Sequence, residues 1–236
     1  GNVWFGHYYG GGVTKYNGSS FTVYNTGNSS ICSNEIAAIT VDNAGNMYFG
    51  SWGSGVSKFT GSVWTTYNTG NSGLISNQIR SIAFDSHDNL WMGTEDKGIS
   101  KFTGSAWLTF AINEGIPQNV VTDIDIDSKN RKWITTNSNG FVIYNDTTWT
   151  YYNPSTGTPS MFEIYDLDLD ANDNAWIAGN TYVYKYNGST FTNYNTNLLT
   201  VAEDVAITDN GTVWISYRSW KGLGVAQLVG ASWVNY

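Results

Sequence analysis

The chain has 236 residues, of which 13% are charged and 16% aromatic, with 26 glycines and 3 prolines. Low charge with many Gly, Asn and aromatic residues suits short strands joined by tight turns and excludes a disordered chain. The formal net charge of −8 lacks the basic footprint of a nucleic-acid binder. No apolar run approaches the roughly eighteen residues of a membrane span, and a lone cysteine, Cys32, excludes an internal disulfide and a Cys/His zinc site.

In chain order, the opening "GNVWFG" reads as a strand that begins in mid-pattern. A loop "HYYGG", a strand "VTKY", a hairpin turn "NGSS" and a strand "FTVY" follow. The clearest later unit starts near residue 77. There "QIRSIAF" alternates apolar residues, "DSHDN" is a turn, "LWMGT" a second strand and "EDKG" a loop. "ISKF" is a third strand, "TGS" a turn and "AWLTF" a fourth strand. The same grammar recurs to the end. Trp4, Tyr48, Trp91, Trp133, Trp176 and Trp214 stand at spacings of 44, 43, 42, 43 and 38. Phe21, Trp64, Trp107, Trp149, Phe191 and Trp233 keep step with them, as do Tyr24, Tyr67, Phe110, Tyr152, Tyr194 and Tyr236. Pro117, Pro154 and Pro159 all fall between units, where no ladder hydrogen bond is lost.

Four strands per repeat of about 40–45 residues define β-propeller blades, in which each sheet buries its faces on its neighbours. The fold class expected is all-β, a single β-propeller over 1–236 with no helix. Its units run approximately 1–33, 34–76, 77–117, 118–161, 162–199 and 200–236. The first unit lacks its inner strand. Residues beyond the ends supply it, or the chain is a piece of a longer polypeptide (a seven-bladed parent included), or the blade is incomplete. The repeated aromatics have a structural task, filling the wedges between sheets.

"NQIRSIAFDSHDNLWMGTEDKGISKFTGSAWLTF" and "NEIAAITVDNAGNMYFGSWGSGVSKFTGSVWTTY" resemble the two-component-regulator propeller repeat, and the resemblance extends over essentially the whole chain. It implies a periplasmic or extracellular β-propeller. In that family such propellers serve as sensor regions of hybrid kinases in Bacteroides-like bacteria, where glycan fragments are sensed, or belong to secreted and surface proteins. The virginiamycin-lyase propellers are similar in their "WF" strand and supply an enzymatic alternative.

Candidate binding residues lie in the loops between second and third strands. Tyr8, Tyr9, Trp52, Tyr217 and Trp220 fall outside the repeated registers. Glu95, Asp96, Asn137, Asn139, Asn180, Arg218 and Lys221 share those loops, and Arg80 and Glu203 hold matching positions early in the first strand. Aromatic plates beside amides, carboxylates and Arg suit a sugar. The reading is a non-enzymatic recognition domain for an oligosaccharide at the channel mouth, or alternatively a scaffold for a protein ligand. A second pattern is acidic. "DIDID" and "DLDLD" put Asp123, Asp125, Asp166 and Asp168 on one face, with Asp204 in register. They face the central channel, where they bond backbone amides of the next blade or hold a hard cation such as Ca²⁺. Asp42, Asp85, Asp127 and Asp170 begin turns and are structural. His7 and His87 are the only histidines, and neither has a nucleophile in its motif, which argues against catalysis.

Overall fold

The structure, a computed structural model, describes residues 1–111, 115–137, 140–161, 163–194, 201–219 and 222–236. The chain is a six-bladed β-propeller whose first blade has three strands and whose other five have four antiparallel strands each. Its contacts divide it into two units, Gly1–Val121 and Thr122–Tyr236.

In the first unit the sheets are β1 (Val3–Gly6), β2 (Val13–Tyr16) and β3 (Phe21–Tyr24); β4 (Ile36–Val41), β5 (Met47–Ser51), β6 (Val56–Phe59) and β7 (Trp64–Tyr67); and β8 (Ile79–Phe84), β9 (Leu90–Thr94), β10 (Ile99–Phe102) and β11 (Trp107–Phe110). The next sheet runs β12 (Val121–Ile126), β13 (Lys132–Thr136), β14 (Phe141–Tyr144) and β15 (Trp149–Tyr152). The last two are β16 (Ile164–Leu169), β17 (Ala175–Gly179), β18 (Tyr182–Tyr186) and β19 (Phe191–Asn193), then β20 (Val201–Ile207), β21 (Val213–Ser219), β22 (Gly222–Val229) and β23 (Ser232–Asn235). Each sheet keeps chain order, so every connection within it is a hairpin.

Turn chemistry sets these hairpins. Between third and fourth strands a left-handed residue recurs at Gly18, Gly61, Gly104, Asp146, Gly188 and Gly230. A stricter demand falls on Gly12, Gly55, Gly98 and Gly140, which have positive φ where the loop enters the third strand. A Cβ there would stand 1.9–2.3 Å from the carbonyl oxygen of Tyr24, Tyr67, Phe110 or Tyr152. Among the described residues one segment departs from the all-strand expectation, a turn of 3-10 helix at Pro154–Thr156. Asn153 caps it by accepting from Ser155 N, Pro154 presets its first turn, and Gly157 ends it at φ 86°.

The repeated aromatics fill the wedges between adjacent sheets, as their registers imply. Val13, Ile36, Phe49 and Phe59 form one buried cluster with Trp4, Tyr24 and Trp64 packed against it. Tyr48, Val56, Ile79, Leu90 and Met92 form the next, and Trp133, Phe141, Ile164, Ile177 and Tyr186 a third. Trp176, Val205, Ile215 and Trp233 make the fourth. Each aliphatic side chain so buried contributes about 1.5–3 kcal/mol.

The turn aspartates hold these wedges from the side. Asp85 accepts from the backbone of His87 and Asn89 and from the Trp91 ring nitrogen at 2.9 Å. Asp127 does the same for Trp133. A lysine of the third strand joins each group: Lys58 lies 3.7 Å from Asp42, Lys101 3.9 Å from Asp85 and Lys185 2.9 Å from Asp170. The same lysines cover the ring of Tyr48, Trp91 and Trp176. In the fourth sheet Ile143 holds that register, and Arg131 covers Trp133 and binds Asp127 instead. No described helix is long and apolar enough to cross a membrane.

Candidate binding site

The site begins with an irregularity of the inner strand. In β4, β8, β16 and β20 the register against the second strand shifts by one residue, between Ile36 and Ala38, Ile79 and Ser81, Ile164 and Asp166, and Ala202 and Asp204. The extra residue is Ala37, Arg80, Tyr165 or Glu203. A bulge frees its side chain from the alternation of the strand and re-aims it. It lies beside the loop that follows the second strand, and so faces the variable residues.

In the first unit this brings Arg80 to two of them. Its guanidinium pairs with Glu95 of its own sheet and lies 5.4 Å from the Trp52 ring centre, in the loop of the preceding sheet. Trp52 is 5.6 Å from Tyr8, and Tyr8 meets Tyr9 edge to face at 5.1 Å. The five residues form one line over three sheets. The loops are fixed by backbone bonds, Trp52 N to Glu35 O, Gly53 N to Asn77 O and Glu95 N to Gln78 O. Tyr9 is 96% exposed, whereas Trp52 is half-buried between Tyr8 and Arg80. The open plate is therefore Tyr9. Trp52 is the packed member that supports the line. His7, in the same loop, bonds Thr14 Oγ1 through Nε2 at 2.8 Å.

The second unit carries two smaller groups. Asn180 donates to Glu163 at 2.9 Å, and the Tyr165 hydroxyl, from the bulge, donates to the same carboxylate at 3.1 Å. Burial, that hydrogen bond and the Glu163 charge raise Tyr165, while Arg218 opposes the shift. Arg218 and Glu203 pair at 3.0 Å, both well exposed. Charge is thus reversed between bulges: Arg80 reaches a loop carboxylate, and Glu203 reaches an arginine at the end of the second strand. Asn137 is exposed in its loop. Asn139, Trp220 and Lys221 lie outside the described residues. Glu163 carried no sequence signal, since it precedes its strand and matches no register.

The acidic face resolves into rungs between neighbouring inner strands. Asp166 Oδ2 accepts from Val205 N at 2.8 Å, and Asp168 Oδ2 accepts from Ile207 N at 2.7 Å. Asp125 accepts from Ile126 N at 2.7 Å and from Leu169 N. Burial, then the Asp123 charge, pushes Asp125 up to about 7. Burial, Asp123 and a hydrogen bond with the exposed Asp204 raise Asp166 well above the carboxylate range. Burial raises Asp168 against the pull of two backbone amides. One carboxylate oxygen each of Asp125, Asp166 and Asp168 is engaged by a backbone amide. Among the described residues no group of three or more His, Cys, Asp or Glu side chains is arranged to hold a metal ion.

Residues 73–96 match the family model described as two component regulator propeller, so the repeat is of that type. No curated protein matches the chain. Among solved structures, the extracellular domain of the hybrid two component system BT3049 from B. thetaiotaomicron aligns at TM-score 0.78 and 24% identity, covering 91% of this chain and 31% of that one. PorZ, a surface component of the type-IX secretion system of Porphyromonas gingivalis, aligns at TM-score 0.74 and 17% identity, covering 95% and 38%. Virginiamycin B lyase from Staphylococcus aureus aligns at TM-score 0.81 and 12% identity, covering 100% and 80%. The chain therefore spans about a third of the first two structures it resembles. At these identities the likeness is one of fold.

Proposed function

We propose that this chain is a non-enzymatic recognition domain that works outside the cytoplasm and binds a carbohydrate-like ligand on the loops between second and third strands. One observation carries the reading: the line Tyr9–Tyr8–Trp52–Arg80–Glu95, with an exposed ring at one end and a charged pair at the other. A ring covers the apolar face of a pyranose, and a fixed carboxylate and guanidinium bond its hydroxyls. The extracytoplasmic setting is supported by the repeat type and by the extracellular domain it resembles.

The test is the melting temperature against a panel of bacterial and plant oligosaccharides, with a chelator throughout. A ligand at a hundredfold its Kd adds about 2.7 kcal/mol, a shift of a few degrees. The expected result is a shift with one glycan class that Tyr9→Ala abolishes while the unliganded melting temperature stays put. No shift across the panel would turn the reading to a protein ligand on the same loops.

A further inference from the structure

The aromatic line of the first unit has an unanswered charge beside it. Glu35 stands just before β4, and the backbone fixes it between two loops. Its carbonyl accepts from Trp52 N at 3.1 Å; on either side of it, Ile36 N donates to His7 O at 3.0 Å and Gly12 N to Asn34 O at 2.9 Å. Glu35 therefore sits where the loop of Tyr8 and Tyr9 meets the loop of Trp52. It is exposed, and among the described residues its carboxylate makes no ion pair or hydrogen bond.

The second unit shows what such a carboxylate takes when partners are built in. Glu163 holds the matching backbone bond, from Asn180 N at 3.3 Å. Its carboxylate accepts from the Asn180 side chain at 2.9 Å and from the Tyr165 hydroxyl at 3.1 Å. In the first unit those two positions are Trp52 and Ala37. Ala37 has no side-chain donor, and the Trp52 ring is engaged by Tyr8 and Arg80.

No cation of these loops offsets Glu35. Arg80 is bound by Glu95 and lies against Trp52, and the exposed Asp96 and Lys97 of the next loop cancel in charge. An exposed aromatic face attracts a cation, and an ammonium bonds a carboxylate about twice as strongly as a neutral partner does. An acidic sugar would meet an uncompensated like charge. We propose, resting on the recognition reading above, that the ligand of this site is an amino sugar with a free amine, its ring on Tyr9 and its ammonium bonded by Glu35.

The β-1,4-linked tetramers of glucosamine, N-acetylglucosamine and glucose differ at one substituent and test the class directly. Calorimetric titration of the intact chain at about pH 6, with the amine protonated, should give the glucosamine tetramer at least about tenfold the affinity of the other two. Glu35→Gln should erase that preference and leave the unliganded melting temperature unchanged. Tyr9→Ala should weaken the glucosamine tetramer, and added salt should narrow its advantage. Tetralysine, of similar charge but without a sugar ring, should bind at least about tenfold more weakly than the glucosamine tetramer. Any of four results would overturn the proposal: an acetylated or glucose tetramer that binds as tightly, a preference that survives Glu35→Gln, tetralysine that binds as well, or no binding by any of the three sugars. The recognition reading falls separately, only when the whole oligosaccharide panel is silent.

Discussion

The Arg80 guanidinium lies 5.4 Å from the centre of the Trp52 ring while it pairs with Glu95, so one side chain from a bulge ties two sheets together. Both carboxylate and guanidinium are about 30% exposed. A pair so placed adds about 1 kcal/mol or less, and the cation over the ring a similar amount. Arg80→Ala should therefore lower the melting temperature only slightly. It should cost at least about tenfold in glycan affinity, because Trp52 and Tyr8 lose the group that holds them. Calorimetry beside a binding isotherm separates the two effects.

The acidic rungs set the response to pH. A carboxyl whose folded pKa is raised stabilises the fold below its ordinary range near pH 4 and loses that contribution as pH climbs through the folded value. Asp125, pushed up to about 7 by burial and by Asp123, makes the fold weaken between about pH 4 and pH 7, with Asp166 and Asp168 acting in the same sense. At the acid end the sign reverses. Despite burial, which raises it, Lys185 and Asn174 hold Asp170 down to about 2, so its contribution is lost as pH falls below 4. The melting temperature should peak near pH 4–5. Asp125→Asn keeps the oxygen that accepts from Ile126 N and removes the charge. It should raise the melting temperature by a few degrees at pH 8 and leave it unchanged at pH 4.

Equivalent tryptophans are unequal. Trp91 donates to Asp85 at 2.9 Å, but the Trp176 ring nitrogen is buried and among the described residues has no partner, while Lys185 and Asn174 bind Asp170. Replacing either with Phe removes the same volume. Only at position 91 does it also remove a hydrogen bond to a carboxylate, whose Oδ2 keeps Asn89 as a donor, a loss of about 1–2 kcal/mol. Trp91→Phe should thus destabilise the chain by about 1–2 kcal/mol more than Trp176→Phe in urea unfolding.

Two glycines with nearly the same backbone should also behave differently. Gly55 has φ 87° and Gly61 φ 93°. A methyl at Gly61 meets nothing within 4 Å, whereas at Gly55 it would stand 2.1 Å from the Tyr67 carbonyl oxygen. Gly61→Ala should cost about 1–2 kcal/mol from the left-handed backbone alone. Gly55→Ala must shift the loop and the strand end as well, and should cost more than about 3 kcal/mol.

Sequence periodicity sufficed for the sheets, because three aromatic registers and the turn residues encode repeated local chemistry that survives without tertiary information. The rungs of Asp166 and Asp168 were half legible: alternation put the carboxylates on one face, and only the neighbouring strand revealed Val205 N and Ile207 N as partners. Arg80 and Glu203 were visible as matched positions, but the bulge that turns them toward the loops was not. A bulge leaves no residue-type signature here, with Ala, Arg, Tyr and Glu at the four sites. Whether Trp52 stands open or packs on its neighbours was not legible, because loop composition says nothing about which face another side chain covers. Glu163, the acceptor for Asn180 and Tyr165, carried no pattern at all.

That bulge has a consequence for how such a protein diversifies. The residue it ejects takes no part in the ladder, and the positions on either side of it, such as Ile79 and Ser81, do the pairing. A mutation there leaves strand register and core intact while exchanging a methyl group, a cation, a phenol or an anion at the rim of those four blades. The scaffold thus carries one freely editable address in each of four sheets. A descendant could acquire a new ligand by rewriting a few such addresses, with no change in the hydrophobic pattern that makes it fold.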